Sequence, residues 1–363
     1  MSKRTSKKKY SDPDSKLKGS KCEDNWVLVN EIQKGLTDNN NEKILKYGNQ
    51  RTLLNFDQMP SFFREPFIIS SYRQCNSSVS DCFKSLFQAT NETINIWSHA
   101  LALVIFVFRF AAVFKKHNPW EDSHIYPLLC FAFGICTMLA MSVGAHLFNC
   151  LSIKARHICF FLDYSAISVY AFTAGQVFYF YSRPAFTNWV IFNTPTMFLG
   201  ISAAISFVST FACCHSFAQK NRFDAVIKAA TYSSSWLFNT SPFLFMLILC
   251  NPTTCSSAAS IHYFARHCLF YVGGTLAYTT RIPERLMVGV FDVLGHSHHF
   301  LHILCCVGAS DEFSAVELDM IQRREPLLHL SGPTVTNTFV LTGLVVLGNI
   351  AVVLWCSKKI KFP

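Results

Sequence analysis

FDVLGHSHHFLHILCCV, the stretch from Phe291 to Val307, places histidines four residues apart in a segment apolar enough to cross a membrane. Residues at positions i and i+4 lie on one face of a helix, so His298 and His302 would direct two imidazoles to the same side. Two such imidazoles can bind one metal ion, and polar groups inside a membrane are costly enough to indicate function. His299 and His302 are also one turn apart, so spacing alone leaves both His298 and His299 as candidate ligands.

The composition of the whole chain is that of a polytopic membrane protein. Of its 363 residues 51% are hydrophobic and only 15% are charged, against about 25% in soluble domains. The net charge is +10, and basic residues gather near the N-terminus at Lys3, Arg4, Lys7, Lys8 and Lys9. Such a tail could contact nucleic acid or acidic lipid, but a disordered cytosolic tail with the usual positive-inside bias explains it more simply. We therefore predict no nucleic-acid partner.

Eight apolar segments follow, each near the roughly 20 residues that a spanning helix needs. Residues 1–60 are interpreted as a disordered, basic and polar cytosolic tail, and residues 61–90 as an interfacial segment. The transmembrane domain is predicted over residues 91–356, with a short basic cytosolic tail at 357–363. The predicted spans are residues 94–114, 125–148, 158–181, 190–212, 225–250, 259–280, 290–309 and 336–356. The predicted fold is an all-α integral membrane bundle of seven helices plus an eighth, C-terminal transmembrane helix.

The basic residues of the short loops predict the orientation of this bundle. With a cytosolic N-terminus, the inner loops lie near residues 149–157, 213–224 and 281–289, and they contain Lys154, Arg156, Lys220, Arg222, Arg281 and Arg285. The outer loops carry several acids, including those at 311, 312, 317 and 319. Cys250 and Cys255 flank an outer loop on the oxidising side, where a disulfide can form.

Polar residues of four predicted helices fall near the cytosolic face. NETINIWSH (91–99) opens the first span, SVGAH (142–146) closes the second, DYS (163–165) opens the third, and the histidine-rich stretch opens the seventh. The sequence therefore brings polar groups from different helices to one depth in the membrane.

This set of residues predicts an open zinc site. His146, His298 and His302 would supply three imidazoles, and a water molecule would complete the tetrahedron. Asp163 would accept a proton from that water or hydrogen-bond a ligand imidazole, and Ser142, one turn before His146, would hydrogen-bond a bound ligand or a developing oxyanion. Zinc of this kind can promote hydrolysis of amides or esters, in which case Ser142 and Asp163 would be catalytic, but it can equally hold the helices together.

Five further polar residues are candidates to support or gate the site. For Asp292 and His296 the alternative is plain interface polarity, and His299 is a potential competing ligand. Glu92 and Asn95 are interpreted as helix-capping and interhelical hydrogen-bond groups rather than catalysts.

NETINIWSH (91–99), Ser142 with His146, LDYS (162–165) and GHSHHFLH (295–302) resemble the signature blocks of the progestin and adipoQ receptor family. The resemblance covers about residues 62–356, and RIPERL (281–286) and WLFNTSPF (236–243) are most similar to its membrane progestin receptor branch. It implies zinc held by His146, His298 and His302, with Asp163 in contact with zinc directly or through water. It thereby selects His298 over His299, where the family usually has Gln.

The resemblance also implies a function. We expect a membrane receptor for a progestin-like steroid or related small lipid, signalling to cytosolic partners such as a G protein. The alternative is a zinc-dependent intramembrane hydrolase, a ceramidase-like amidase acting on a sphingolipid. Lys359 and Lys361 fit a retrieval signal as well as ordinary positive-inside charge, so both the plasma membrane and the endoplasmic reticulum stay open as locations.

Overall fold

The computed structural model describes residues 53–219 and 223–360, and these residues form helices, turns and one isolated bridge between Leu54 and Tyr72. The all-α prediction is therefore confirmed for the described part of the chain. Its long helices are α1 (Thr93–Lys116), α2 (Tyr126–Phe148), α3 (Ile153–Val177), α4 (Pro195–Ala218), α5 (Asp224–Leu249), α6 (Ala258–Thr280), α7 (Ser297–Gln322) and α8 (Leu341–Lys359). Residues 1–52 and 361–363, which contain most of the predicted tails, lie outside the described residues.

Within residues 53–219 and 223–360, five helical segments are long and apolar enough to cross a membrane. They are Thr93–Lys116, Ser123–Phe148, Ile153–Ser182, Pro195–Ala218 and Thr336–Lys359. The protein is therefore an integral membrane protein, and its C-terminal helix has the length and composition of a span. That α5, α6 and α7 also span, and that the N-terminus is cytosolic, remain predictions.

The helix ends follow from local sequence. The Ser152 hydroxyl accepts the Ala155 N–H at 3.0 Å and begins α3, and the Ser257 hydroxyl accepts the Ser260 N–H at 3.3 Å and begins α6. The predicted fourth span starts at residue 190, but α4 begins only at Pro195. Proline disfavours helical geometry in the residue before it, which separates α4 from the short helix Val190–Asn193.

The most deeply packed of the long helices is α3. It packs against α2, α4, α5 and α8, while α7 packs against α6 and α1. Fully buried aromatic side chains along α3 and its π-helical continuation fill the centre, among them Phe161, Phe172, Phe178 and Tyr181. As a result of this packing, the ends of α2, α3 and α7 that carry the polar residues surround a common space.

The helix α7 differs most from its prediction. The predicted span is 290–309, whereas α7 begins at Ser297 and continues to Gln322. Its start is delayed because Gly295 has a positive φ of 86° and the Glu284 carboxylate accepts the Ser297 N–H at 2.7 Å. These contacts leave residues 290–296 in a turn that leads into the helix.

The acids that the sequence assigns to the next outer loop lie on α7 instead. Asp311 pairs with Arg266 at 3.1 Å, and Asp319 accepts hydrogen bonds from the hydroxyls of Ser182 and Ser256 at 2.7 and 2.8 Å. Partners on neighbouring elements allow these acids to be buried, so the helix does not need to end where the apolar sequence ends.

Residues 53–92, which precede α1, are folded against the bundle. The bridge of Leu54 with Tyr72 and the burial of Met59, Phe63 and Ile68 place residues 53–60 in the packed region, so the tail boundary lies earlier than residue 60. The short helix Val79–Ser85 follows. That residues 61–90 lie against the membrane surface remains a prediction.

Candidate metal centre and adjoining cavity

Three histidines meet where the end of α2 faces the first turns of α7. The Nε2 atom of His298 lies 3.3 Å from Nε2 of His146 and 3.2 Å from Nε2 of His302. One ligand atom from each residue lies within 4.8 Å of the others, and the group is able to hold a metal ion. Two imidazole nitrogens on a tetrahedral zinc ion would be about 3.3 Å apart, so both measured separations fit such an ion.

The far nitrogens of two of these rings face fixed acceptors. Nδ1 of His146 lies 2.7 Å from Oε2 of Glu92, and Nδ1 of His302 lies 3.2 Å from the backbone carbonyl of Asn95. An imidazole that donates from Nδ1 keeps the lone pair on Nε2 for a metal. Both acceptors therefore set the tautomer that metal binding requires.

Glu92 is the residue just before α1, and its side chain supports the centre instead of capping the helix. It accepts hydrogen bonds from the amides of Asn95 at 2.8 Å and Asn149 at 2.6 Å. Burial alone would raise the pKa of the Glu92 carboxyl, but the imidazole of His146, the guanidinium of Arg73 and the Asn95 amide hold it well below its usual range. The carboxylate is therefore a charged acceptor for His146.

Arg73 fixes the end of α2 from which His146 projects. Its guanidinium donates to the backbone carbonyls of His146 and Leu147, the latter at 2.9 Å, and to Oδ1 of Asn149 at 2.7 Å. A cation at the C-terminal end of a helix satisfies carbonyls that have no helical partner. The sequence carries no local signal of this role, because these contacts of Arg73 are with residues more than 70 positions away.

Two of the five supporting candidates, Asp292 and His296, brace the turn before α7 and do not join the three-histidine group. Asp292 accepts the Ile69 N–H at 3.2 Å and the Ser70 hydroxyl at 2.6 Å. Nε2 of His296 lies 3.1 Å from the carbonyl of Asn91.

His299 turns away from the other histidines of the centre. Its ring packs on that of His296, and its Nδ1 accepts the Gly295 N–H at 3.0 Å. The structure thus groups His298, and not His299, with His146 and His302.

A family model described as haemolysin-III related matches residues 87–311 of the chain. The chain belongs to this family. Membrane progestin receptor gamma-A of Danio rerio is 32% identical over 336 residues, which cover 85% of this chain and 96% of that protein. Membrane progestin receptor delta of Mus musculus is 34% identical over 312 residues, covering 83% and 89%. The resemblance to the progestin and adipoQ receptors, and to their membrane progestin receptor branch, is confirmed.

In this haemolysin-III related protein, an apolar cavity of about 160 Å³ adjoins the histidine group on the side of His298 and His302. Ser142 and Asp163 line it together with His298 and His302, so the structure brings these predicted residues to one space. Oδ1 of Asp163 is buried and has no hydrogen-bond partner among the described residues. It is an acceptor available to a ligand or to water.

His99 also lines this cavity and was not singled out by the sequence. Its ring stacks on that of His302 with centroids 3.9 Å apart and an angle of 15°. Neither ring nitrogen of His99 has a hydrogen-bond partner in the described part of the chain. The only signal in the sequence was its position at the end of the block NETINIWSH.

A second, polar cavity of about 90 Å³ lies on the other side of the histidines. Tyr164, Lys228, Tyr278 and His298 line both cavities. Lys228 is held there by Asp224 at 2.6 Å and by the Tyr164 hydroxyl at 2.7 Å. The histidine group therefore stands between a polar space and an apolar one.

Proposed function

We propose that this protein is a membrane receptor for a progestin-like steroid or a related small lipid, with a zinc ion bound beside the ligand. The observation that carries the proposal is the apolar cavity lined by His298 and His302, two of three converging imidazoles, in a chain whose relatives are named membrane progestin receptors. A concave, largely apolar space with a few polar groups at one end is typical of a site for a small lipophilic molecule.

The proposed zinc site uses residues with distinct tasks. His146, His298 and His302 would hold the ion through Nε2, and Glu92 would orient His146. When bound, zinc would act as a Lewis acid that polarises a carbonyl oxygen placed next to it. Asp163 would accept a hydrogen bond from a ligand or from water at the same end of the cavity.

The ligand would act by stabilising one arrangement of the helices. Side chains of α1, α2, α3, α5, α6 and α7 line the cavity, so a bound molecule contacts all six helices. A ligand shifts a conformational equilibrium only by its difference in affinity for the two states. We infer that a change in how these helices pack is transmitted to a cytosolic partner, for which a G protein is our proposal.

A cytosolic position for the histidines agrees with the disulfide between Cys250 and Cys255. Lys228, near the start of α5, lines the spaces beside the histidines, whereas Cys250 follows the other end of this helix, about 30 Å away. Disulfides persist on the oxidising side of a membrane. This supports the proposed orientation with the N-terminus inside.

The test is saturation binding of labelled progesterone to the purified full-length protein in lipid nanodiscs. Leu301 lines the cavity, whereas Ile303 on the same helix is 44% exposed. We expect displaceable binding in the wild type, its loss in Leu301→Trp and its retention in the matched control Ile303→Trp. No displaceable binding in the wild type would refute the steroid-receptor proposal.

A zinc-dependent ceramidase-like hydrolase is the second candidate, supported by the unpartnered Oδ1 of Asp163 and by Ser142 beside the three histidines. The names of the relatives favour the receptor. Release of fatty acid from labelled ceramide separates the two candidates. Release by the wild type that is lost in His302→Ala would establish the hydrolase, and equal background release by both proteins would exclude it.

A further inference from the structure

The apolar cavity continues into a smaller one of about 50 Å³ on the side away from the histidines. The two share lining residues Ile167, Tyr170, Tyr232, His267 and Tyr271. The smaller cavity ends at Glu312, ten residues after His302 on α7, which corresponds to about 15 Å along the helix. The combined space therefore has the histidine group at one end and a carboxyl group at the other.

Glu312 is buried at 2% exposure, and the Tyr170 hydroxyl donates a hydrogen bond to its Oε2. Its neighbour Asp311 pairs with Arg266, but no ion pair involves Glu312 within the described residues. A carboxylate has about four lone-pair positions, so a single donor leaves acceptor capacity free. A buried carboxylate with spare capacity gains from a further donor.

His267, the nearest imidazole to this end, is already fully bonded. Its Nε2 accepts the indole N–H of Trp236 at 2.8 Å, so its proton lies on Nδ1 and is donated to the carbonyl of Gly308 at 3.0 Å. Both ring nitrogens are used, and the imidazole is neutral. His267 therefore shapes the wall of the cavity and offers no proton to Glu312.

The other polar side chains of the smaller cavity are bonded within the protein as well. Oδ1 of Asn239 accepts the Ser202 hydroxyl at 2.6 Å, and its amide donates to the Ser235 carbonyl at 3.0 Å. The Thr240 hydroxyl donates to a backbone carbonyl one turn earlier at 2.8 Å. Glu312 is thus the group at this end with the strongest unused acceptor capacity.

From this geometry we propose that Glu312, positioned by Tyr170, is a second polar anchor of the ligand site. It binds a hydrogen-bond donor, such as a hydroxyl, at the end of the ligand that lies away from the histidines. The preferred ligands are elongated apolar molecules with a polar group at each end, of which the distal one donates. This inference rests on the proposed receptor function and specifies which member of the ligand class is selected.

The test compares progesterone, whose two oxygens only accept, with its 3-hydroxy and 20-hydroxy reduction products, because either end of the steroid could reach Glu312. Affinities are measured on the full-length protein in nanodiscs. We expect one of the hydroxysteroids to bind the wild type about tenfold or more tightly than progesterone. In Glu312→Gln, which adds an N–H donor and removes the charge, this ratio should fall to about one or invert.

The ratio of two affinities on one preparation is independent of the folded fraction, so a partly unfolded variant does not obscure the result. The matched control is Glu317→Gln on the same helix, outside both linings, which should keep the wild-type ratio. An unchanged ratio in Glu312→Gln overturns the anchor but leaves the receptor proposal intact. No steroid binding to the wild type overturns both.

Discussion

The carboxylate of Glu92 is placed to organise the proposed metal centre without being one of the three proposed ligands. It faces His146 and receives hydrogen bonds from Asn95 and Asn149. Groups in this position fix the ring orientation and increase the basicity of the ligand.

Replacing Glu92 with Gln should therefore weaken zinc binding about 10- to 100-fold while the protein still folds. The amide is nearly isosteric with the carboxylate but carries no charge to stabilise the metal-bound imidazole. The measurement is competition for zinc against a chromophoric chelator. Glu121→Gln, in the loop between α1 and α2, is the control and should match the wild type. Equal affinities of Glu92→Gln and wild type would contradict this role.

Helical spacing and membrane depth predicted that histidines of α2 and α7 meet, because both depend only on chain position. They left His298 and His299 open, and the family resemblance selected His298, which the structure groups with His146 and His302.

The sequence alone favours a helix cap at Glu92, because an acid just before a helix usually has that role. Only the position of α2 in the fold shows where the Glu92 side chain points. Arg73 and His99 were missed for the same reason, since both act through contacts with elements that are distant in sequence.

At the scale of helices, the close approach of α3 and α5 depends on Gly175. A Cβ atom at this position would lie 2.2 Å from Oδ1 and 2.9 Å from Cγ of Asn239, whose amide is itself bonded. Gly200 on α4 has nothing within 4 Å of such an atom.

Gly175→Ala should destabilise the protein by about 1 to 3 kcal/mol, because overpacking forces these two helices apart. Gly200→Ala is the matched control and should leave the melting temperature nearly unchanged. Thermal unfolding of both variants in detergent tests this contact. Equal melting temperatures for Gly175→Ala and the wild type would show that Asn239 moves aside without cost.

The length of the apolar segments predicted the five helical segments that are able to cross a membrane, because such a segment must be long and continuous. It failed at the end of α7, where Asp311, Glu312 and Asp319 look like a loop in sequence. Their burial depends on Arg266, Tyr170 and two serines on other elements, and no local pattern reveals those partners.

At the scale of the whole molecule, the proposed orientation puts the histidine group on the cytosolic side and the Cys250–Cys255 disulfide on the other. Epitope tags at the N-terminus and in the loop between α1 and α2 test it in sealed microsomes. Added protease should remove the N-terminal tag and leave the loop tag intact. Protection of the N-terminal tag would reverse the orientation.

The cavity is a property of the assembled molecule, since six helices contribute to its walls. The sequence indicated the histidine end through its motifs, but it gave no sign of the second polar end at Glu312. The polar group at that end depends on the packing of α3 and α7, which places Tyr170 against Glu312.

The most direct test of the account is the metal content of purified full-length protein. We predict about one zinc ion per chain in the wild type, its loss in His298→Gln, and its retention in the matched variant His299→Gln, because only His298 directs its Nε2 to His146 and His302. Equal zinc content in the two variants, or no zinc in the wild type, would contradict the proposed centre.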